Sequence, residues 1–151
     1  MSHSQPEIMK IKRAVIFTDG MAKPNPGPAA IGATIKDEQG KLISSISQPI
    51  GPATNNQAEY RAIIAALEEA IKLGADQVDI HSDSELVVRQ VKGQYRVKNA
   101  SLKPLYQKVK QLQSQLEGFT ITHIPRQQNR EADNLASKAL FPNESHNPQH
   151  R

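Results

Sequence analysis

Residues 55–73 constrain this chain more than any other segment. In "NNQAEYRAIIAALEEAIKL" the side chains of Ala62, Ile63, Ala66, Leu67, Ala70 and Ile71 fall on one stripe at helical spacing, and Gly74 follows as a stop signal. A helix with one apolar stripe must lay it on a partner, and the segments on either side are strands. Residues 11–18 contain the apolar run "AVIF", suited to a strand buried on both faces, and "QVDIHS" at 77–82 reads as a second strand. Strand, crossover helix and strand form a unit whose hand is nearly always right and whose strands are parallel. Once the two strands are neighbours, their carboxyl ends point the same way. Asp19, expected in a loop crowded with Gly and Pro, and Asp83 then stand side by side where open α/β sheets bind ligands.

The remaining segments complete an α/β order of βββαβααβα. Strands are expected at 30–36 and 41–49, joined through "DEQG" as a hairpin, so that the first three strands form an antiparallel meander. Helices are expected at 84–91, 102–116 and 130–140, and a last strand at "FTITHIP", 119–125. The 151 residues suit one domain, spanning about 10–140, with loose segments at 1–9 and 141–151. A net charge of +4 favours an anionic partner such as nucleic acid. No apolar run approaches the roughly 20 residues of a membrane span, and the absence of Cys excludes disulfides and thiolate metal sites. A cytoplasmic setting is expected, since the first residues lack the apolar core of a signal peptide.

Two further acids lie on helices. Glu59 has Ala62, Ile63 and Ala66 as its i+3, i+4 and i+7 neighbours, so its carboxylate faces the sheet, and Asp133 flanks the stripe of Ala132, Leu135, Ala136 and Ala139. Burying a lone carboxylate is costly, and no Lys or Arg stands at helical spacing to neutralise Glu59. A divalent cation would neutralise several carboxylates at once. Each acid also has a local reading. Ser82 with Glu85, and Thr54 with Gln57, have capping-box spacing, Asp133 suits a helix start, and Asp19 before Gly20 suits a turn. Only convergence accounts for all four placements together. His81 and His123 read as strand residues and not ligands, Met21, Tyr60 and Tyr106 as packing, and "PNPGP" as a rigid loop.

The segments "FTDGMAKPNPGPAAIGA", "TNNQAEYRAIIAAL", "HSDSELVVRQV" and "HIPRQQNREADNLASKAL" resemble the four signatures of type 1 ribonuclease H, in family order and closest to its short archaeal-like form. The resemblance implies a five-stranded mixed sheet, a three-strand meander plus two further strands, flanked by helices. It implies a monomer that hydrolyses the RNA strand of RNA·DNA hybrids with two Mg²⁺ or Mn²⁺ ions, giving 5′-phosphate and 3′-hydroxyl ends. Asp19, Glu59, Asp83 and Asp133 fall on the catalytic, metal-binding carboxylates. Gly20, Asn55, Asn56 and Ser84 match positions that read the ribose 2′-hydroxyl or the minor groove, and Asn25 and Thr54 a pocket for a DNA-strand phosphate. Glu85 stands where other members place Gln. The loop in which many members carry a mobile His is here the short "RQQNRE", and Arg126 occupies the place that the short-form members give to Arg; its role would be electrostatic, since an Arg cannot serve as a base. The basic helical handle of some members is absent, which leaves Lys92, Arg96 and Lys98 around Tyr95 as the cations expected to track DNA phosphates.

Overall fold

The computed structural model describes residues 11–145. Five strands, β1 (Arg13–Ala22), β2 (Gly27–Lys36), β3 (Leu42–Ala53), β4 (Gln77–Ser82) and β5 (Gly118–His123), form one sheet in the order β3-β2-β1-β4-β5. The meander is antiparallel, whereas β1–β4 and β4–β5 are parallel. The mixed sheet and the β1-to-β4 crossover agree with the sequence reading.

The crossover helix α1 (Asn55–Lys72) buries Ala62, Ile63, Ala66, Leu67 and Ala70 against Ile16, Ile35, Val78 and Ile80 of the sheet. Complete burial of each large aliphatic side chain contributes roughly 1.5–3 kcal/mol, which makes this face the main source of stability. Thr54 opens the helix through a complete capping box with Gln57, as the spacing indicates. Helices α2 (Glu85–Val91) and α3 (Lys103–Gln113) join the same core through Val87, Val88, Val91, Val109 and Leu112. Helix α4 (Arg130–Leu140) packs on the opposite face, over β1, β2 and β3. Gly32 allows it, because a Cβ at that position would lie 2.3 Å from the Ala132 carbonyl oxygen.

Several expected boundaries move. β1 and β2 stay paired beyond residue 18, with Asp19 opposite Gly32 and Ala22 opposite Ala29, so Asp19 lies within a strand and the turn is confined to 23–26. β3 likewise runs on to Ala53, and α3 is shorter than 102–116. β5 stops at His123, and residues 126–128 form a 3₁₀ turn that no sequence signal marked. The Ser82–Glu85 capping box does not form: Ser84 is the N-cap, and the Ser82 hydroxyl accepts from the Ser84 N–H at 3.1 Å. Past Leu140 the chain forms one further helical turn, α5 (Pro142–Ser145). The segments expected to be loose, 1–9 and most of 141–151, lie outside the described residues. No helix among the described residues is long and apolar enough to cross a membrane.

Candidate active site

The parallel register of β1 and β4 ends at Thr18 opposite Ser82. Asp19 and Asp83 are the next residues on their chains, so they emerge together at the carboxyl edge of the sheet. Glu59 reaches them from the first turn of α1, and Gly20 is the reason that it can. A Cβ on Gly20 would lie 2.2 Å from the Ala58 carbonyl carbon and 2.5 Å from the Glu59 nitrogen, a distance no side chain tolerates. With glycine there, one carboxylate oxygen from each of Asp19, Glu59 and Asp83 falls within 4.8 Å of the others. Asp133 approaches from α4 closely enough to raise the Asp19 carboxyl. Of the four acids expected to converge, Asp19, Glu59 and Asp83 meet this closely, and Asp133 stands near Asp19 without joining that group.

The electrostatics are those of crowded, dehydrated carboxylates. Burial pushes the Asp19 carboxyl up from 3.8 to about 8, with Asp83 and Asp133 adding to the rise and Arg126 opposing it. Glu59 is raised well above its ordinary value by burial and then by Asp19 and Asp83, against the Gly20 N–H and Arg126. One Glu59 oxygen, Oε1, is buried without a hydrogen-bond partner. Arg126 therefore gives Glu59 a distant cation that helical spacing did not reveal, yet it does not offset the crowding. A donor set made only of oxygens, with an orphaned buried carboxylate oxygen, fits a hard divalent cation.

Asp19, Glu59 and Asp83, but not Asp133, open into a cavity of ≈ 310 Å³, also lined by Gly20, Met21, Lys23, Asn55, Asn56, Ser84 and Arg126. Met21, expected only to pack, forms part of its wall. Asn55 is held in place: its Oδ1 accepts from the Ala22 N–H at 2.7 Å, and its own N–H donates to Asn25 Oδ1 at 3.0 Å. Those bonds fasten the 23–26 turn to the start of α1. Asn25, Thr54 and Glu85 do not line the cavity. Thr54 closes its cap, and Glu85 is exposed and accepts from Arg89 Nε at 2.9 Å. His81 lies away from the acids, its ring stacked on Phe17 with centroids 4.7 Å apart, and His123 is exposed. Tyr60 is buried and donates to Gln90 at 2.8 Å, so its packing role includes a hydrogen bond between α1 and α2.

Residues 17–139 match a family model described as reverse transcriptase-like. The ribonuclease HI of Halobacterium salinarum is 39% identical over 128 residues, which are 85% of this chain and 64% of that protein. The chain belongs to the ribonuclease H family. A bifunctional protein of Mycobacterium tuberculosis is 41% identical over 129 residues, 85% of this chain but 35% of that one, so the chain spans only part of these relatives. Among solved structures, RNase H1 from Halobacterium salinarum superposes with a TM-score of 0.84 at 38% identity, covering 86% of this chain and 98% of that one. LC11-RNase H1, in complex with an RNA/DNA hybrid, superposes with a TM-score of 0.81 at 41% identity, covering 85% and 97%.

Two residues that build this ribonuclease H site escaped the sequence reading. Gly32 sets the depth of α4 and hence of Asp133; its only trace was a glycine inside a strand pattern, which signals a close backbone approach. Asn129 is buried beside Asp83, and in sequence it resembled an ordinary helix cap.

Proposed function

We propose that this ribonuclease H domain is a metal-dependent endonuclease that hydrolyses the RNA strand of RNA·DNA hybrids. The observation that carries the proposal is the meeting of Asp19, Glu59 and Asp83 within 4.8 Å at a sheet edge, with Asp133 against Asp19. So many carboxylates repel one another unless a cation offsets them, and Asp19 and Glu59 are both strained in that sense. Two Mg²⁺ or Mn²⁺ ions held by these four residues would supply charge neutralisation at the attacking and leaving oxygens of an in-line displacement.

The chain's own residues bind and orient the substrate. Asn55, with its Oδ1 committed to Ala22, offers its Nδ2 to the substrate, and Asn56, Ser84 and the Gly20 backbone line the same wall. Together they are suited to reading the ribose 2′-hydroxyl, the group by which a protein tells RNA from DNA. Asn25 and Thr54, beside this wall but outside the cavity, are placed to hold a phosphate of the DNA strand. Arg126, across from the acids, would attract the scissile phosphate and cannot take a proton from it. Water adds to phosphorus as the bond to the 3′ oxygen breaks, leaving a 5′-phosphate and a 3′-hydroxyl. All four acids come from one chain, so a monomer suffices.

The test is cleavage of an RNA·DNA hybrid, duplex DNA and duplex RNA of one sequence, with Mg²⁺ and with chelator. Cleavage of the hybrid's RNA strand, giving ends that a 5′-phosphate-dependent exonuclease degrades, is expected only with metal. Cleavage of duplex DNA, or cleavage that persists in chelator, would overturn the proposal.

A further inference from the structure

We infer that Asn129 is a positioning residue for the carboxylate cluster: its side-chain amide ties the end of β1 to Asp83 and so sets the spacing of Asp83 from Asp19. The inference rests on the function proposed above, in which both acids hold metal. Asn129 stands where α4 begins, a position at which an Asn side chain ordinarily caps the helix. It does not cap this one. Its backbone, at φ −119° and ψ 29°, lacks the extended geometry of a cap, and its side chain makes no bond to the first turn of α4.

The side chain turns back towards the sheet instead. Nδ2 donates to the Thr18 carbonyl at 2.8 Å and to Asp83 Oδ2 at 3.3 Å. Both partners are acceptors, which places the amide nitrogen inward and uses both of its hydrogens. Thr18 immediately precedes Asp19 and lies opposite Ser82, the residue before Asp83. One amide group therefore spans the two strands at the register where their acids emerge. The backbone carbonyl of Asn129 accepts from the Asp133 N–H at 3.1 Å, which links the same residue to the fourth acid.

The alternative is a polar residue kept only to satisfy its neighbours. Asn129 is 1% exposed, yet its Oδ1 has no hydrogen-bond partner, so only the donor end of the amide is used. A side chain present for fold stability alone would not be expected to bury a bare acceptor beside a carboxylate cluster. A donor aimed at a metal-ligating carboxylate orients it, and loss of such a partner typically lowers metal affinity or activity by about 10–100-fold.

Two measurements test this without relying on cleavage. In the wild-type chain labelled with ¹⁵N, the Asn129 side-chain amide signal should shift during a Mg²⁺ titration without substrate. In Asn129→Ala and Asn129→Asp, Mn²⁺ binding followed by electron paramagnetic resonance should weaken by about tenfold or more in the Ala variant and change measurably in the Asp variant. With hybrid, kcat of the Ala variant should fall by about 10–100-fold and KM should stay within about threefold. Val109→Ala, a buried change in α3 remote from the acids, should lower the melting temperature and leave Mn²⁺ affinity and kcat unchanged. An Asn129 amide signal that ignores Mg²⁺, or Asn129→Ala with wild-type Mn²⁺ affinity, would overturn the inference. If the Asn129 variants fail to fold, the wild-type titration decides alone. A wild-type chain that binds metal but leaves hybrids intact would refute the proposed function and leave these two readouts standing.

Discussion

At the scale of single residues, the cluster works against the fold that carries it. Asp19 has an ordinary value of 3.8 in an unfolded chain and about 8 in the folded one. Between those limits the folded protein holds a proton that the unfolded chain has released. Stability without metal is therefore fully present below about pH 4 and is lost as pH rises towards 8. Glu59, raised in the same direction, steepens the loss. Asp19→Asn removes one such carboxylate. Without metal at pH 8 it should melt above wild type by about 5 °C or more, since each kcal/mol moves the midpoint of a domain this size by roughly 2–4 °C. The gap should close near pH 4. Differential scanning calorimetry in chelator across this range checks it, and a gap constant with pH would contradict the assignment of the strain to Asp19. The four acids were legible only jointly: capping, helix-start or turn chemistry suits each one locally, and it was their convergence at one sheet edge that set them apart. Gly32 and Asn129 were not, because a glycine's use is decided by what comes near it and an amide's by the partner that its side chain chooses.

At the scale of elements, the crossover unit was readable because stripe, stop signal and flanking strands agree. The strand ends were not. β1 runs on to Ala22 because β2 continues to pair with it after β4 has stopped, and no local propensity carries that tertiary fact. Capping spacing also proved an incomplete guide: Thr54 and Gln57 form their box, whereas Ser82 turns its hydroxyl to Ser84 and Glu85 turns to Arg89. The segment after α2 shows the same organisation. The Arg89 carbonyl accepts from the N–H groups of Gln94 and Tyr95, and its guanidinium lies 5.3 Å from the centre of the Tyr95 ring. Lys92, Arg96 and Lys98 project into solvent around this support, and Tyr95 with Arg96 lines a groove shared with Lys103 and Tyr106. A hybrid held there would release counterions from each cation. Replacing Lys92, Arg96 and Lys98 together by Ala should flatten the slope of log affinity against log salt by about 2 to 3 units at most. Turnover at saturating hybrid should barely change. Affinity measured over a salt series with Ca²⁺ in place of Mg²⁺ tests this, and an unchanged slope would leave these residues a solvated surface.

At the scale of the whole molecule, the site exists only when the sheet and both of its faces are in place. Asp19 comes from β1, Asp83 from the exit of β4, Glu59 from the helix on one face and Asp133 from the helix on the other. α1 and α4 are brought close to β1 and β2 by Gly20 and Gly32, positions where any Cβ would strike helix backbone. Burial that would otherwise weaken the fold is thus directed at one edge, where Asp19, Glu59 and Asp83 share one cavity with Asn55, Asn56 and Arg126. The most direct test of this account separates chemistry from binding in Asp83→Asn, a change of one oxygen to nitrogen. Hybrid cleavage in Mg²⁺ should fall by about a thousandfold or more, given that each tenfold is about 1.4 kcal/mol of lost transition-state stabilisation. Hybrid affinity in chelator should stay within about threefold of wild type. Cleavage by Asp83→Asn within tenfold of the wild-type rate would contradict the claim that these carboxylates are the catalytic centre.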